Sequence, residues 1–204
     1  MSLAGHASDG SGTPDEIRGV VWGRAARHAD ARGGLAEIGR ASTIDLAPAR
    51  TGLPDARIVQ ANLSVSAAGV LRGLHLHRRQ LDRWYVVSGR AFIALVDVRP
   101  LLSDPAARPG VITREVAVDD WVEIPVGVAH GFLALEPLAL VYLATNEYDG
   151  TDELGFAWDD PGAAVPWPKV PATPDGRPVL SDRDRTSQSM QDLVDRLRAA
   201  EGNS

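Results

Sequence analysis

Two histidines, His75 and His77, lie one residue apart in the apolar stretch GVLRGLHLHRRQLDRWYVVSG (residues 69–89), in a chain that has only five histidines. Two kinds of chemistry fit such a pair. An imidazole titrates near neutral pH, so His75 could be a base that removes a proton from a carbon atom. Residues two apart in a β-strand point to the same face, so both side chains could also converge on a metal ion.

The spacing around these histidines resembles the first sequence motif of the cupins. Asp82 stands at the acid position of that motif, which usually holds glutamate, and a glycine bounds the stretch at each end. The segment PVGVAH, residues 125–130, resembles the core of the second cupin motif and supplies a third histidine, His130. Its flanks depart from the motif, because Asp119 replaces a glycine and Ala134 replaces an asparagine.

This resemblance implies a metal site of three histidines and one carboxylate, a ligand set that suits Zn, Mn, Fe or Ni. The ligands would be His75, His77, Asp82 and His130. The opposing interpretation needs no metal, because histidines inside a β-barrel can be polar groups that hydrogen-bond to their neighbours. The sequence leaves both interpretations open.

A second and longer resemblance runs from about residue 20 to residue 190. The chain contains, in order, the segments Asp30-Ala-Arg32-Gly33, Glu37, Gln60-Ala-Asn62, Gly69-Val-Leu-Arg72-Gly-Leu-His75, Val128-Ala-His130-Gly-Phe132, Val141-Tyr142-Leu143, Glu147-Tyr148 and Leu180-Ser-Asp-Arg-Asp184. Together these segments are similar to the dTDP-4-dehydrorhamnose 3,5-epimerase family, which is itself a cupin-fold family.

The second resemblance implies a homodimeric enzyme of deoxysugar biosynthesis that needs no cofactor. Such an enzyme would invert a dTDP-4-keto-6-deoxy sugar at C3, at C5 or at both carbons. The base would be His75, oriented by Asp184, and Tyr142 would deliver a proton from the opposite face of the sugar. The resemblance also implies a set of substrate contacts, including arginines that suit a diphosphate: Arg32, Glu37, Gln60, Asn62, Arg72, His130, Tyr148 and Glu153.

One position departs from the epimerase family in a way that affects its chemistry. The family has a lysine that stabilises the enolate oxyanion, and Asp82 stands at that position here. The same region carries the metal-like motif, so we hypothesise that a divalent metal polarises the ketone instead. The alternatives are a metal-dependent isomerase or oxygenase of another small molecule, and a sugar-binding cupin without activity. The short dTDP-sugar 3,4-ketoisomerases also share the Arg-Gly-x-His-x-His pattern, over about 20 residues.

The rest of the chain predicts a mostly β domain that holds these residues in place. Several segments of strand length, rich in Val, Ile, Leu and aromatic residues, are separated by Gly, Pro and Asp: ARIVQANLSV, RWYVVSG, RAFIALVDV, VITREVAV, WVEIPV and LALVYLATN. The mixed pattern of RAFIALVDV suits a sheet that is covered on both sides. The final segment SQSMQDLVDRLRAA predicts an amphipathic helix, capped by Ser187 or Ser189. We therefore predict a cupin double-stranded β-helix, or jelly roll, with a C-terminal helix.

Composition limits the function further. With 204 residues, 44% of them hydrophobic, residues 17–204 can form a single domain after a disordered tail at residues 1–16. A net charge of −6 and the lack of a basic stretch argue against nucleic acid as a partner. No apolar run reaches the ~20 residues of a membrane span and no signal peptide is recognised, so we expect a cytoplasmic protein without a membrane partner.

Overall fold

The computed structural model describes residues 17–40, 42, 44, 46–48, 53–170, 173 and 176–201. The disordered tail that we predict at residues 1–16 lies outside this range. The strands are β1 (Val21–Arg24), β2 (Arg27–Asp30), β3 (Gly33–Ala36), β4 (Gln60–Ser66), β5 (Leu71–Leu76), β6 (Asp82–Ser88), β7 (Arg90–Asp97), β8 (Gly110–Ala117), β9 (Asp120–Ile124), β10 (Val128–Ala134), β11 (Leu138–Ala144) and β12 (Leu154–Gly155). The helices are α1 (Arg99–Ser103), α2 (Asp182–Arg185) and α3 (Met190–Glu201).

Two five-stranded antiparallel sheets form the body of the molecule. Sheet 1 has the strand order β1-β9-β6-β11-β4, and sheet 2 has the order β12-β5-β10-β7-β8. The strands β2 and β3 pair with each other as a separate hairpin. Sequential neighbours often lie in opposite sheets, as β5 and β6 do, which is the arrangement of a jelly roll. The prediction of a mostly β cupin fold is therefore confirmed.

Sheet 2 is buried on both of its faces, as the pattern of RAFIALVDV predicts. On β7, Ile93 and Leu95 face the core between the two sheets, which they share with Trp84 and Leu140 of sheet 1. The alternate residue Ala94 belongs to a second core on the other side. Because both faces are covered, β7 has no continuous polar face even though it lies in an antiparallel sheet.

The C-terminal helix α3 covers the outer face of sheet 2. Its apolar stripe, which includes Leu193 and Val194, packs against Leu74 and Leu76 of β5. Of the two predicted caps, Ser189 begins the helix, because its hydroxyl accepts a hydrogen bond of 3.1 Å from the backbone amide of Asp192. The described part of the chain contains no helix long and apolar enough to span a membrane.

Close contact between β5 and β10 sets the positions of the central histidines. The register pairs His75 with His130, and an irregularity follows between His130 and Phe132. A β-carbon on Gly73 would lie 2.6 Å from the Cα atom of Gly131, and its φ of +127° also favours glycine. Glycine therefore lets the two backbones approach directly beside the paired histidines.

Candidate active site

A cavity of about 430 Å³ lies between the two sheets. β5 and β10 of sheet 2 supply one wall, and β4, β6 and β11 of sheet 1 supply the opposite wall. Most residues that the sequence singled out line this cavity: Gln60, Asn62, Arg72, His75, His77, Asp82, His130, Tyr142, Tyr148, Glu153 and Asp184.

His75 and Asp184 form a hydrogen-bonded pair at one side of the cavity. The Nε2 atom of His75 lies 2.8 Å from Oδ1 of the buried Asp184. Burial alone would raise the pKa of Asp184, but the hydrogen bond and positive charge of His75, together with the Ser181 hydrogen bond and the charge of Arg183, outweigh it and lower this pKa below its ordinary value. Since an ionised carboxylate only accepts hydrogen bonds, Nε2 carries a proton and Nδ1 of the neutral imidazole carries the free lone pair.

Asp184 is held by the short helix α2. Ser181 precedes this helix, and its hydroxyl accepts a hydrogen bond of 3.1 Å from the backbone amide of Asp184. The Ser-Asp-Arg-Asp segment therefore forms a capped turn instead of a solvated run of charge. The cap fixes the carboxylate against His75, which lies on a different element.

Tyr142 lies in the opposite sheet. In the register of sheet 1 it stands between Asn62 on β4 and Trp84 on β6. Partial burial raises the pKa of Tyr142 above its ordinary value, and the nearby carboxylate of Asp82 raises it further. The phenol is therefore protonated at neutral pH, as a proton donor must be.

A second group of polar side chains occupies the inner end of the cavity, and it consists of His77, Asp82 and His130. The Oδ2 atom of Asp82 lies 3.4 Å from Nε2 of His130 and 3.8 Å from Nε2 of His77. The three ligand atoms lie within 4.8 Å of one another, close enough for one metal ion. We call these three residues the inner group.

The second ring nitrogen of each histidine in the inner group faces a backbone carbonyl. Nδ1 of His77 lies 2.7 Å from the carbonyl oxygen of Asp152, and Nδ1 of His130 lies 3.0 Å from that of Val128. A carbonyl oxygen can only accept a hydrogen bond, so Nδ1 must carry the proton in both rings. Each Nε2 atom then presents a lone pair toward Asp82 when the ring is neutral.

Burial controls the charges of the inner group. Desolvation raises the pKa of Asp82 above its ordinary value, while the positive form of His77 and a hydrogen bond from Gln80 act against it. The Gln80 side-chain amide donates this bond to Oδ1 of Asp82 over 2.7 Å. Desolvation also lowers the pKa of His130 well below its ordinary value.

The structure gives His75 and His77 different partners. β5 ends at Leu76, so His77 already lies outside the strand and its direction does not follow the strand's alternation. His75 pairs with Asp184, whereas His77 joins Asp82 and His130. Of the four predicted metal ligands, the structure therefore brings together three and leaves out His75.

The predicted sugar and nucleotide contacts lie around the mouth of the cavity. Gln60 donates a hydrogen bond of 3.0 Å to the Asn62 side chain and accepts one of 2.8 Å from the backbone amide of Tyr148. The Tyr148 hydroxyl donates to Glu153 over 3.3 Å. These bonds hold an exposed aromatic ring beside the polar entrance. Arg72 lines the same cavity and donates a bond of 3.2 Å to Ser66 Oγ.

Two predicted contacts, Arg32 and Glu37, do not line the cavity. Arg32 lies on the β2–β3 hairpin with a side chain that is 90% exposed, and it pairs with Asp30 over 2.5 Å. Glu37 follows the hairpin and forms an exposed ion pair with Arg40. Within one chain, neither side chain belongs to the wall of the site.

The sequence analysis missed several residues of the wall. Trp84 and Phe132 form an apolar surface, with their rings edge to face at 5.7 Å between centroids. Trp84 could have been found, because it lies two residues after Asp82 on one strand and so shares its face. Arg183 also lines the cavity and forms an ion pair with Glu153. No local signal in the SDRDR segment identifies it.

Comparison with known proteins identifies the family to which the chain is similar. A family model described as dTDP-4-dehydrorhamnose 3,5-epimerase matches residues 14–192. A protein named dTDP-4-dehydrorhamnose 3,5-epimerase from Mycobacterium tuberculosis is 40% identical over 139 residues, which is 66% of this chain and 66% of that protein. The chain thus matches just under two thirds of that relative. A protein of the same name from Sinorhizobium fredii is 31% identical over 178 residues, covering 83% of this chain and 84% of the relative.

A solved structure resembles the chain over nearly its whole length. The 4-keto-6-deoxy sugar epimerase NovW, from the novobiocin biosynthetic gene cluster of Streptomyces spheroides, superposes with a TM-score of 0.73 at 29% identity. The match covers 97% of this chain and 96% of that protein. The likeness therefore extends to the whole sandwich and is not confined to the histidine stretch.

Proposed function

Because the chain belongs to the dTDP-4-dehydrorhamnose 3,5-epimerase family, we propose that it inverts a dTDP-4-keto-6-deoxy sugar at C3, at C5 or at both carbons. The family is one of cofactor-independent epimerases. The observation that carries the proposal is the position of an acid and a base on opposite walls. His75 lies on β5 of sheet 2, and Tyr142 lies on β11 of sheet 1, with the cavity between them.

Inversion at a carbon next to a ketone requires this arrangement. The base removes the C–H proton from one face, and the bonding electrons move into an enolate whose charge rests on the C4 oxygen. The acid then gives a proton to the same carbon from the opposite face. A base and an acid on the same wall would return the proton to the face it left, and the configuration would be unchanged.

His75 is the base in this proposal, and Nδ1 is the atom that receives the proton. Its neighbour Asp184 fixes the tautomer with Nε2 protonated, and the carboxylate stabilises the imidazolium ion that forms. Tyr142 donates its hydroxyl proton in the second half of the reaction. After one turnover, the imidazolium loses its extra proton to solvent and the phenolate recovers one from solvent, so the site returns to its starting state.

The mouth of the cavity suits a nucleotide diphosphate. Arg72 lines it from β5 and can turn its guanidinium toward phosphate oxygens, which it binds in pairs. Tyr148 is 68% exposed at the entrance, where its ring can stack on a base. Trp84 and Phe132 provide an apolar surface deeper inside, which suits the methyl group of a 6-deoxy sugar.

Deuterium exchange tests this proposal directly. The purified chain is incubated in D₂O with dTDP-4-keto-6-deoxyglucose, and deuterium at C3 and C5 is followed by mass spectrometry and NMR. We expect exchange at one or both carbons, and its loss in the His75→Asn variant. His28→Gln changes an exposed histidine on β2 and is the matched control. Failure to exchange at either carbon would contradict the proposal.

Replacement of the acid should separate exchange from inversion. In the Tyr142→Phe variant, His75 can still remove a proton and return a deuteron to the same face. We therefore expect deuterium to enter the sugar with retention of configuration. A Tyr142→Phe variant that inverts at the normal rate would remove Tyr142 from the mechanism.

We also propose that the protein acts as a homodimer. The hairpin β2–β3 is exposed along its length, and Leu35 on it is 72% exposed. β4 lies at the edge of sheet 1, and its outward side chains Leu63 and Val65 are 65% and 67% exposed. An apolar edge of this kind suits a second copy of the chain. Contact between copies would also allow the exposed Arg32 of one copy to reach the substrate diphosphate bound in the other.

Light scattering after size exclusion measures the oligomeric state. We expect a dimer, and we expect the double variant Leu63→Glu, Val65→Glu to be monomeric. Leu35→Glu tests the hairpin separately. A wild-type monomer at micromolar concentration would contradict the proposed dimer without affecting the proposed chemistry.

A divalent metal ion is the part of this proposal that the family does not supply. His77, Asp82 and His130 would hold it, and it would supply polarisation of a substrate oxygen.

A further inference from the structure

We infer that the inner group, His77, Asp82 and His130, is a divalent cation site with an open position that faces the substrate cavity. Both Nδ1 atoms donate to backbone carbonyls, of Asp152 and of Val128. When the rings are neutral, both Nε2 atoms therefore direct lone pairs at Asp82.

Three electron-rich atoms therefore converge on one small volume. Two imidazole lone pairs and a carboxylate oxygen repel each other unless a proton or a metal ion lies between them. Backbone carbonyls that hold the remote N–H of a histidine are the usual outer contacts of a metal-binding imidazole, because they fix its tautomer and orientation. The inner group has this contact on both of its histidines.

The carboxylate of Asp82 has no permanent cation beside it among the described residues. Its side chain is 4% exposed, and its Oδ1 atom accepts a hydrogen bond from the neutral amide of Gln80. Burial of an ionised carboxylate is strongly unfavourable unless a cation lies beside it. A divalent ion removes this cost, and it leaves the group with a net positive charge.

The two distances from the Asp82 oxygen suit a small metal ion, and all three ligand atoms lie within 4.8 Å of one another. Ligand atoms about 2.0–2.2 Å from a tetrahedral zinc ion lie roughly 3.3–3.6 Å apart. The Asp82–His130 pair, at 3.4 Å, meets this value, and the Asp82–His77 pair, at 3.8 Å, needs only a small contraction. Two neutral imidazoles and one carboxylate are ligands for Zn²⁺, Mn²⁺, Fe²⁺ or Ni²⁺.

Three protein ligands leave at least one coordination position for another molecule. All three residues line the substrate cavity, so this position is open to the sugar. The permanent cations that line the described cavity are Arg72 and Arg183, and both already hold protein acceptors. A cation held by these three residues would supply stabilisation for the negative charge that develops on the C4 oxygen, a role that rests on the proposed epimerase function.

This assignment keeps His75 out of the metal site. Its Nε2 atom donates to Asp184, and its Nδ1 atom is the free base. The cavity thus holds a proton-transferring histidine and two metal-binding histidines, and the roles do not compete for one ring.

Metal binding is measured on the full chain, free of any histidine tag and freed of metal by a chelator. Co²⁺ is the probe, because its visible absorption reports both binding and the geometry of its ligands. We expect one Co²⁺ per chain, displaced by Zn²⁺. Asp82→Asn and His77→Gln should weaken Co²⁺ binding by at least about 100-fold, since loss of a ligand exceeds the effect of loss of an outer contact.

Two variants show whether the assignment of ligands is right. His75→Asn should bind Co²⁺ as the wild type does, and so should His28→Gln, which changes an exposed histidine. Near-ultraviolet circular dichroism checks that each variant is folded. Lack of saturable Co²⁺ or Zn²⁺ binding would overturn the inference, as would binding that Asp82→Asn and His77→Gln leave unchanged.

The catalytic role of the ion is tested separately by deuterium exchange in the metal-free and the Zn²⁺-loaded protein. We expect loading to raise the exchange rate by about 10²–10³-fold, the usual effect of one oxyanion-stabilising group. Equal exchange in both forms would overturn this role while leaving the epimerase proposal intact. Tight binding at the inner group without exchange in either form would leave the site intact and contradict the proposed function.

Discussion

His75 and His77 lie only two positions apart in the chain, but their hydrogen-bond partners and their proposed roles are different. Nε2 of His75 donates a hydrogen bond to the carboxylate of Asp184, and Nδ1 is free to accept a proton from the substrate. Nδ1 of His77 donates a hydrogen bond to the backbone carbonyl of Asp152, and Nε2 faces the carboxylate of Asp82. A carboxylate partner stabilises an imidazolium ion, whereas a carbonyl partner fixes the tautomer of a neutral ring and leaves its lone pair on the other nitrogen. The partner of the remote nitrogen therefore assigns each histidine its role.

Removal of each histidine in turn should have the largest effect and should separate their roles. His75→Asn should lower the rate of deuterium exchange by about 10²–10⁴-fold, the usual contribution of a general base. His77→Gln should lower it less, and added Zn²⁺ should no longer raise it. The rates are measured at saturating sugar, so that a change in kcat is separated from a change in KM. Equal losses in the two variants, with equal Zn²⁺ response, would mean that the histidines share one role.

A smaller effect is expected from the partner of the base. Asp184→Asn retains a hydrogen-bond acceptor for His75 but loses the negative charge that stabilises imidazolium. We expect kcat to fall by about 10–10²-fold, less than for loss of the base itself, with little change in KM. Asp182→Asn changes the fully exposed carboxylate at the start of the same helix and is the control. An unchanged kcat in Asp184→Asn would leave the His75–Asp184 contact a purely structural one.

The inner group can be examined through stability as well as activity. In the presence of a chelator, Asp82→Asn should be more stable than the wild type by about 1–2 kcal/mol, because the buried carboxylate lacks a permanent cationic partner. The order should reverse with Zn²⁺ at about 100 times its Kd, which stabilises the wild type by about 2.7 kcal/mol and a variant that binds about 100-fold more weakly by only about 0.4 kcal/mol. Urea unfolding followed by tryptophan fluorescence measures both conditions.

Asp55→Asn, which changes an exposed carboxylate, should shift stability in neither condition. The reversal is the decisive feature of this experiment. An Asp82→Asn variant that is less stable than the wild type both with and without Zn²⁺ would indicate that Asp82 serves the fold alone.

The fold was accessible from the sequence because its signals are local. Segments of strand length and turn residues predict most of the strands, and the apolar stripe of SQSMQDLVDRLRAA predicts α3. The alternation on β7 even indicates burial of both faces of sheet 2, since Ile93 and Ala94 enter different cores. The hairpin β2–β3 was not predicted, because its short strands are exposed and carry no apolar period.

The site was accessible only in part, because its chemistry depends on remote contacts. Spacing alone suggests that His75 and His77 converge, but β5 ends between them and the loop turns His77 away. The carbonyl of Asp152 lies 75 positions from His77, and Asp184 lies 109 positions from His75. No local pattern encodes such partners. The family resemblance indicated Asp184, and nothing in the sequence indicated Asp152.

The smallest effect on stability is expected at Asp119, a buried carboxylate that, unlike Asp82, forms an ion pair with an arginine. Arg27 on β2 donates to both of its oxygens, at 2.5 and 2.9 Å, and Tyr85 donates to one of them. The hydrogen bonds from Arg27 and then Tyr85 lower the pKa of Asp119 to about 2. This carboxylate is the counterpart of Asp82, because it is stabilised in its charged form without a metal.

The loss of stability caused by removal of Arg27 should depend on pH in a predictable direction. A lowered pKa stabilises the fold fully above the ordinary value of 3.8, and the contribution disappears as pH falls from 3.8 to about 2. We therefore expect Arg27→Gln to lower Tm by no more than about 4 °C at pH 7. The difference from the wild type should shrink in thermal scans as pH is lowered below 4, and metal should not affect it. A difference that instead grows in acid would show that Arg27 acts through packing of the hairpin, and Asp119 would no longer serve as the metal-free counterpart of Asp82.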